Sequence, residues 1–256
     1  MNDKVVLFGL LTKNSGKWIE EVLKNVEKYA SFFNDYKCLI LDGNSTDTTA
    51  NKCNAWCSIE LSKRKFMQQP SNNLERGQSL TECRNFVVEH FKPFFGENVF
   101  LMLLDTDSPN AIPFSGFESC FSQQSKDCHS DIASWDALFA NQRECYYDVW
   151  ALRDEECPND YQINARITGN WDVKHLQKPK PTALGFHPVK SAFGGAGIYK
   201  TTSIKNAKYY CKTKVKMPDN NVYVLPVCEH VPFNLDMIHR GCKLFVNCEW
   251  LIGDHE

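Results

Sequence analysis

No stretch of this chain is apolar for long enough to cross a membrane. The N-terminal run VVLFGLL, Val5 to Leu11, is bounded by polar residues and lacks a small-residue cleavage site; a helical span needs about 20 apolar residues. Neither a targeting segment nor an integral membrane segment is therefore expected. An excess of one charge is also missing, since 29 Lys and Arg face 31 Asp and Glu for a formal net charge of -2. A sequence-independent nucleic-acid binder needs a basic face, so no nucleic-acid partner is expected. The local clusters at Lys63 to Lys65 and Lys174 to Lys180 read as solvated loops. Zinc-finger spacing is absent too: the twelve cysteines are scattered, and the close pair Cys53 and Cys57 has no matching second pair or histidine. Reduced, partly buried thiols in a cytoplasmic protein are expected. Repeats, low-complexity tracts and long linkers are lacking, which leaves one domain over residues 1–256.

What is present is an ordinary core-forming composition, 43% hydrophobic and 23% charged. Val5 to Leu11 reads as a buried strand, and Trp18, Val22, Val26 and Tyr29 form a helical stripe within Ser15 to Ala30. Cys38 to Leu41 is a second strand, followed by the turn and cap residues of DGNSTDTT and a helix to about Cys57. Ser79 and Glu82 have capping-box spacing ahead of a helix carrying Leu80, Cys83, Val87 and Phe91. The next strand begins at Val99. Such alternation predicts an α/β fold with a mixed, mainly parallel, Rossmann-like sheet flanked by helices. After Asp107 the segments become shorter and more mixed, among them DIASWDALFA, YYDVWALRD, HPVKSAFGGAGIYK and KLFVNCEWL. The proline-rich KPKPTALGFHP, Lys178 to Pro188, reads either as a mobile loop or as an ordered surface excursion.

The strand VFLMLL ends in DTD, Asp105 to Asp107. Two carboxylates one residue apart at the C-terminal end of a buried strand project into the crevice where open α/β sheets bind ligands, and they can reach one hard divalent cation. A surface turn is the alternative, because Asp is common where strands end.

Together these motifs resemble a glycosyltransferase of the GT-A type. LDGNSTDTT is similar to the family 2 signature of a strand followed by an acid, and ECRNFVVEHF resembles the helix with Arg and Asn that precedes the DxD strand. YDVWALRD, SAFGGAGIYK and CEHVPFNLDM are similar in order and kind to segments of the fungal capsule-associated mannosyltransferases. The resemblance implies a nucleotide-binding half, residues 1–107, and an acceptor half, residues 108–256. It implies a UDP- or GDP-sugar as donor, Mn2+ or Mg2+ as cofactor, and a glycan, glycoprotein or lipid-linked acceptor. Asp105 and Asp107 would hold the metal. Asp42 would meet the base or ribose and Arg84 would lie beside the nucleotide, with Thr12 and Asn44 in the same donor-binding set. The local alternatives are a helix cap for Asp42 and a surface ion pair for Arg84.

Gly194 and Gly195 permit close backbone approach and would line the sugar pocket, or they mark a bulge or turn. Trp135, Tyr147, Trp150 and Phe193 either stack on sugar rings or belong to the core. Glu229 and His230 open a helix after the strand VYVLPV, so Glu229 is a candidate base and His230 a candidate metal ligand; dipole-favoured capping and simple packing are their alternatives. Asp148 is the second candidate base. No QxxRW motif is present, which argues against a processive polymerase. Family 2 enzymes invert and the capsule enzymes are assigned as retaining, so the resemblance leaves the stereochemistry open.

Two other functions compete. A sugar-1-phosphate nucleotidyltransferase normally needs a glycine-rich loop after the first strand, where LLTKNSGKW has one glycine. A catalytically inactive nucleotide- or carbohydrate-binding module would keep the carboxylates without turnover. If DTD holds a hard cation, Asp107→Ala is expected to abolish activity while leaving the circular-dichroism spectrum and melting temperature unchanged. Full activity in this variant or in excess chelator would contradict the metal role.

Overall fold

The computed structural model describes residues 3–69, 74–107, 114–121, 134–157, 161–172, 177–217 and 220–252. Its elements are β1 (Val5–Thr12), α1 (Ile19–Ala30), β2 (Asp35–Asp42), α2 (Thr49–Ser58), β3 (Arg64–Gln68), α3 (Arg76–Phe91), β4 (Val99–Asp105) and α4 (Phe114–Glu118). There follow β5 (Ala137–Gln142), α5 (Tyr161–Thr168), β6 (Phe186–Pro188), β7 (Ala196–Lys200), α6 (Thr201–Ile204), β8 (Lys212–Lys216), β9 (Val222–Pro226), α7 (His230–His239) and β10 (Leu244–Ile252).

Eight strands form one sheet in the order β3-β2-β1-β4-β7-β5-β10-β6. The first four are mutually parallel, β7 is antiparallel to both β4 and β5, β10 is parallel to β5, and β6 is antiparallel to β10. The expected α/β class with a mainly parallel mixed sheet is therefore the observed one. Alternate residues of each strand face opposite layers. Leu7, Leu39, Leu101 and Leu103 pack with α3 and α7 through Val87, Phe91, Phe233 and Met237. Val6, Phe8, Ile40 and Met102 pack with α1 and α2 through Val22, Val26, Cys53 and Cys57. Burial on both faces explains why β1 and β4 read as continuous apolar runs. A separate hairpin, β8 and β9, stands outside this sheet.

Several boundaries differ from the sequence reading. The stripe that begins at Ser15 becomes helical only at Ile19, because residues 15–18 form a turn in which Ser15 accepts from the N–H groups of Trp18 and Ile19. Ser79 and Glu82 do not form a capping box: α3 starts at Arg76, and the Ser79 hydroxyl instead donates to Gln69. Strand β3 was not evident from its pattern, for RKFMQ is an edge strand with few apolar residues. The proline-rich segment is an ordered excursion, with Lys180 and Asn141 exchanging backbone-to-side-chain bonds and β6 pairing with β10. Lys174 and the opening of DIASWDALFA lie outside the described residues.

Helix α3 approaches β1 at Gly9, where an added Cβ would come within 2.5 Å of Val87 Cγ1 and 2.8 Å of Leu103 Cδ2. That close approach sets the position of Arg84, one turn before Val87 on the same helix. Gly9→Ala is expected to destabilise the fold by ~1–3 kcal/mol through overpacking, read as a lower midpoint in urea denaturation. An unchanged midpoint would show that α3 yields without cost.

Candidate active site

The sheet topology brings the C-terminal ends of β1, β2, β4 and β5 to one edge, together with the start of the antiparallel β7. Thr12 is opposite Asp42 across β1 and β2, and Leu11 is opposite Asp105 across β1 and β4. The turn before β7 is held against the end of β4, because the Asp105 N–H donates to the Gly195 carbonyl at 2.9 Å. Gly194 and Gly195 have φ of 64° and 87°, and a Cβ on Gly194 would lie 2.5 Å from the Ala140 carbonyl oxygen. Only glycine meets both constraints without strain.

Around this edge, Arg84 from α3 is the organising cation. It is buried, its Nε donates to Glu229 Oε1 at 2.8 Å, and its Nη2 lies 3.7 Å from Asp105 Oδ1. The guanidinium also sits 4.8 Å from the centre of the Phe193 ring. Burial works against its charge, but Glu229 and Asp105 outweigh that cost and hold its pKa above the ordinary value. The surface ion-pair alternative for Arg84 does not apply, since its partners are inside. Glu229 is the residue preceding the first turn of α7, yet its side chain makes no capping hydrogen bond and is committed to Arg84.

The carboxylates outnumber the cation. Burial raises Asp105 to about 7, with repulsion from Asp107 and Glu229 opposing the help of Arg84. The Tyr147 hydroxyl donates to Asp105 Oδ2 at 3.2 Å. Asp148 is likewise raised to about 7 by burial, then by the charges of Asp105 and Glu229, although it accepts from the Gly194 N–H at 3.2 Å. Two half-buried acids at one strand edge, both raised toward neutrality and with Asp105 among the charges that raise Asp148, are suited to acid–base chemistry. Asp107 is exposed beside them.

His230 is packed behind Glu229. Its imidazole stacks on Phe193 with centroids 4.0 Å apart, its Nε2 is 3.7 Å from Glu229, and burial followed by Arg84 keeps it neutral. Among the described residues no three His, Cys, Asp or Glu side chains gather at metal-binding spacing. The aromatics divide: Trp135 and Phe193 are core residues, Tyr147 orients Asp105, and the partly exposed Trp150 lies against the exposed Trp171, with ring centroids 6.0 Å apart. No spacing in the sequence marks Cys228, which lies 4.0 Å from Glu229 and remains a thiol because burial pushes its pKa up.

The other end of the edge is a welded pair of loops. Asp42 is fully buried and accepts from the Ser45 N–H and hydroxyl at 3.0 and 2.5 Å, which closes the turn containing Asn44 at φ 60°. Ahead of α2, whose N-cap Thr48 makes no side-chain capping bond, Asp47 accepts from the Thr49 N–H and also from the Gly16 N–H of the β1–α1 loop. The Asn14 N–H donates to the Ser45 hydroxyl, and the Thr46 N–H to the Asn14 side-chain oxygen, each at 2.8 Å. Thr12 Oγ1, buried below this junction, has no hydrogen-bond partner among the described residues.

No protein-family model matches the chain, and no curated protein matches its sequence. Solved structures do. Residues 1–349 of S. aureus TarS superpose with a TM-score of 0.55 at 15% identity, covering 97% of this chain and 59% of that one. A mannosyltransferase from Pyrobaculum calidifontis, solved with GDP-Man and Mn2+, gives 0.52 at 13% identity over 97% of this chain and 57% of the other. Glucosyl-3-phosphoglycerate synthase from Mycobacterium tuberculosis gives 0.52 at 11% identity over 99% and 72%. This chain thus spans little more than half the length of the first two. The likenesses establish the GT-A fold.

Because Asp148 is raised above its unfolded value, its ionisation costs folded-state stability as pH climbs from about 4, and the cost is complete above about 7. Asp148→Asn removes that titration. The variant is expected to gain melting temperature relative to the parent as pH rises from 4 to about 8, with little change in the difference beyond. A constant difference across this range would show that Asp148 ionises normally.

Proposed function

We propose that the protein is a metal-dependent glycosyltransferase that moves one sugar from a nucleoside-diphosphate sugar to a hydroxyl of a glycan, protein or lipid-linked acceptor. The observation that carries this reading is the convergence of Asp105, Asp148, Glu229 and Arg84 at the ligand-binding edge of a GT-A sheet. Residues 1–107 then form the donor half and residues 108–256 the acceptor half. A nucleotidyltransferase is disfavoured by the β1–α1 loop, whose Gly16 N–H is already taken by Asp47 and so does not cradle a triphosphate.

The donor set fits a hard divalent cation, Mn2+ or Mg2+. Asp105 and Asp107 supply hard oxygens, and the shared guanidinium leaves negative charge uncompensated beside them. Bound there, the cation would offset charge on the departing nucleoside diphosphate. Thr12, paired with Asp42 across β1 and β2, backs the nucleotide side, and Asp42 acts through the turn that presents Asn44. Gly194 and Gly195 let the sugar approach the backbone. Arg84 serves the diphosphate side, and Glu229 holds it in place.

Of the two candidate bases, Asp148 is favoured. Glu229 already accepts from Arg84, whereas Asp148 has an ionisation near the operating pH that suits general-base work. Such a base acts directly on the acceptor hydroxyl in an inverting transfer, so the product anomer is to be read by NMR together with the kinetics. His230, stacked and neutral, supports the start of α7.

A panel of UDP- and GDP-sugars with Mn2+, followed for nucleoside diphosphate release, tests the activity; no release from any donor, with or without acceptor alcohols, would remove the transferase reading. With an active donor, Asp148→Asn is expected to lower transfer by ~10²–10⁴-fold and to remove the rise in rate near pH 7, while nucleoside diphosphate still binds. Glu229→Gln should retain that rise. The reverse pattern would assign the base to Glu229.

A further inference from the structure

The β8–β9 hairpin carries an outward face that sets lysines beside exposed aliphatic side chains. By the pairing register, Lys212, Lys214 and Lys216 lie on one face of β8 opposite Pro226, Val224 and Val222 of β9. All three lysines are exposed, and Val222 and Val224 keep 61% and 59% of their surface in solvent. None of the three lysines is ion-paired to a described carboxylate. On the opposite face Thr213, Val215 and Leu225 are half-buried and Tyr223 is exposed. The hairpin belongs to neither layer of the main sheet, so this exposure is not a defect of core packing.

We propose that this face docks on an anionic lipid bilayer surface. A row of ammonium groups beside exposed aliphatic side chains matches an interface where anionic head groups lie above an acyl boundary. The net charge of the chain is -2, so this attraction comes from the local row and not from an overall positive charge. The apolar groups on the lysine face are Val222, Val224 and Pro226, which offer no ring for base stacking, and this favours lipid over single-stranded nucleic acid. No described helix is long and apolar enough to cross a membrane, and the attachment proposed is through this face. The position adds a consequence. Strand β9 ends three residues before Glu229, so that end of the hairpin lies near the candidate site. The docking stands on the hairpin alone and does not depend on the transferase reading.

The test is co-sedimentation of the full chain with phosphatidylcholine vesicles that contain or lack phosphatidylglycerol. Binding only to the anionic vesicles, weakened by added salt, is expected. Each lysine near such a surface contributes roughly fivefold in partitioning, so Lys212→Gln, Lys214→Gln and Lys216→Gln together should weaken binding on the order of 100-fold. Val222→Ser with Val224→Ser keeps the charge row and should also weaken binding. Melting temperatures of both variants report that the fold persists, and donor turnover is expected to be unchanged by either. Absence of binding, equal binding to both vesicle types, or indifference to the lysine changes would overturn the proposal. So would heparin binding as tight as vesicle binding together with indifference to the valine changes, which would make the face a general polyanion site.

Discussion

One buried guanidinium ties the molecule together. Arg84 comes from α3, Asp105 from the end of β4 and Glu229 from the start of α7, so a single cation joins elements 145 residues apart between its donor and its closest acceptor. Taking such a charge out of water is costly unless its partners are well placed, and removing one of them strands the others. Everything around it serves that placement. Gly9 lets α3 lie close to the sheet, Phe193 covers the guanidinium, and Tyr147 holds Asp105. Burial pushes Asp105 and Asp148 both up to about 7, and the same arrangement adds to it by leaving more carboxylates than cations. The excess of negative charge is the site's chemical resource.

The parts legible in the sequence are those governed by local periodicity. β1 and β4 are continuous apolar runs because both faces are covered, and the DTD acids end β4 because a buried strand must meet solvent there. The opening of α7 at His230 follows from the step between an apolar strand and a helical pattern. Elements whose signal is weak or shared were missed or misjudged. β3 is short and polar, and Ser79 with Glu82 has the spacing of a capping box inside a helix that already has a full turn before it. Tertiary packing, not local propensity, decided both.

The pairings inside the site were not legible at all. Nothing in spacing links Arg84 with Glu229, or shows that Asp148 faces Gly194. Those contacts come from inserting β7 antiparallel between β4 and β5, which folds the second half of the chain back onto the edge built by the first. Asp42 illustrates the same point from the other side: its carboxylate accepts from Ser45, and Asp47 ties the β1–α1 loop to the start of α2. The fold is shared with proteins of low sequence identity, so function has to be argued from these contacts and not from the architecture.

The account rests on an under-neutralised carboxylate cluster around Arg84, and carboxyl-detected NMR across a pH titration reads it directly. The predicted result is a pair of coupled aspartate resonances with an apparent midpoint near 7, assigned through Asp105→Asn and Asp148→Asn, which moves down when Mg2+ and a nucleoside diphosphate are added. Titration of every aspartate at its ordinary value, about 4, with no response to the cation and nucleotide, would contradict the account.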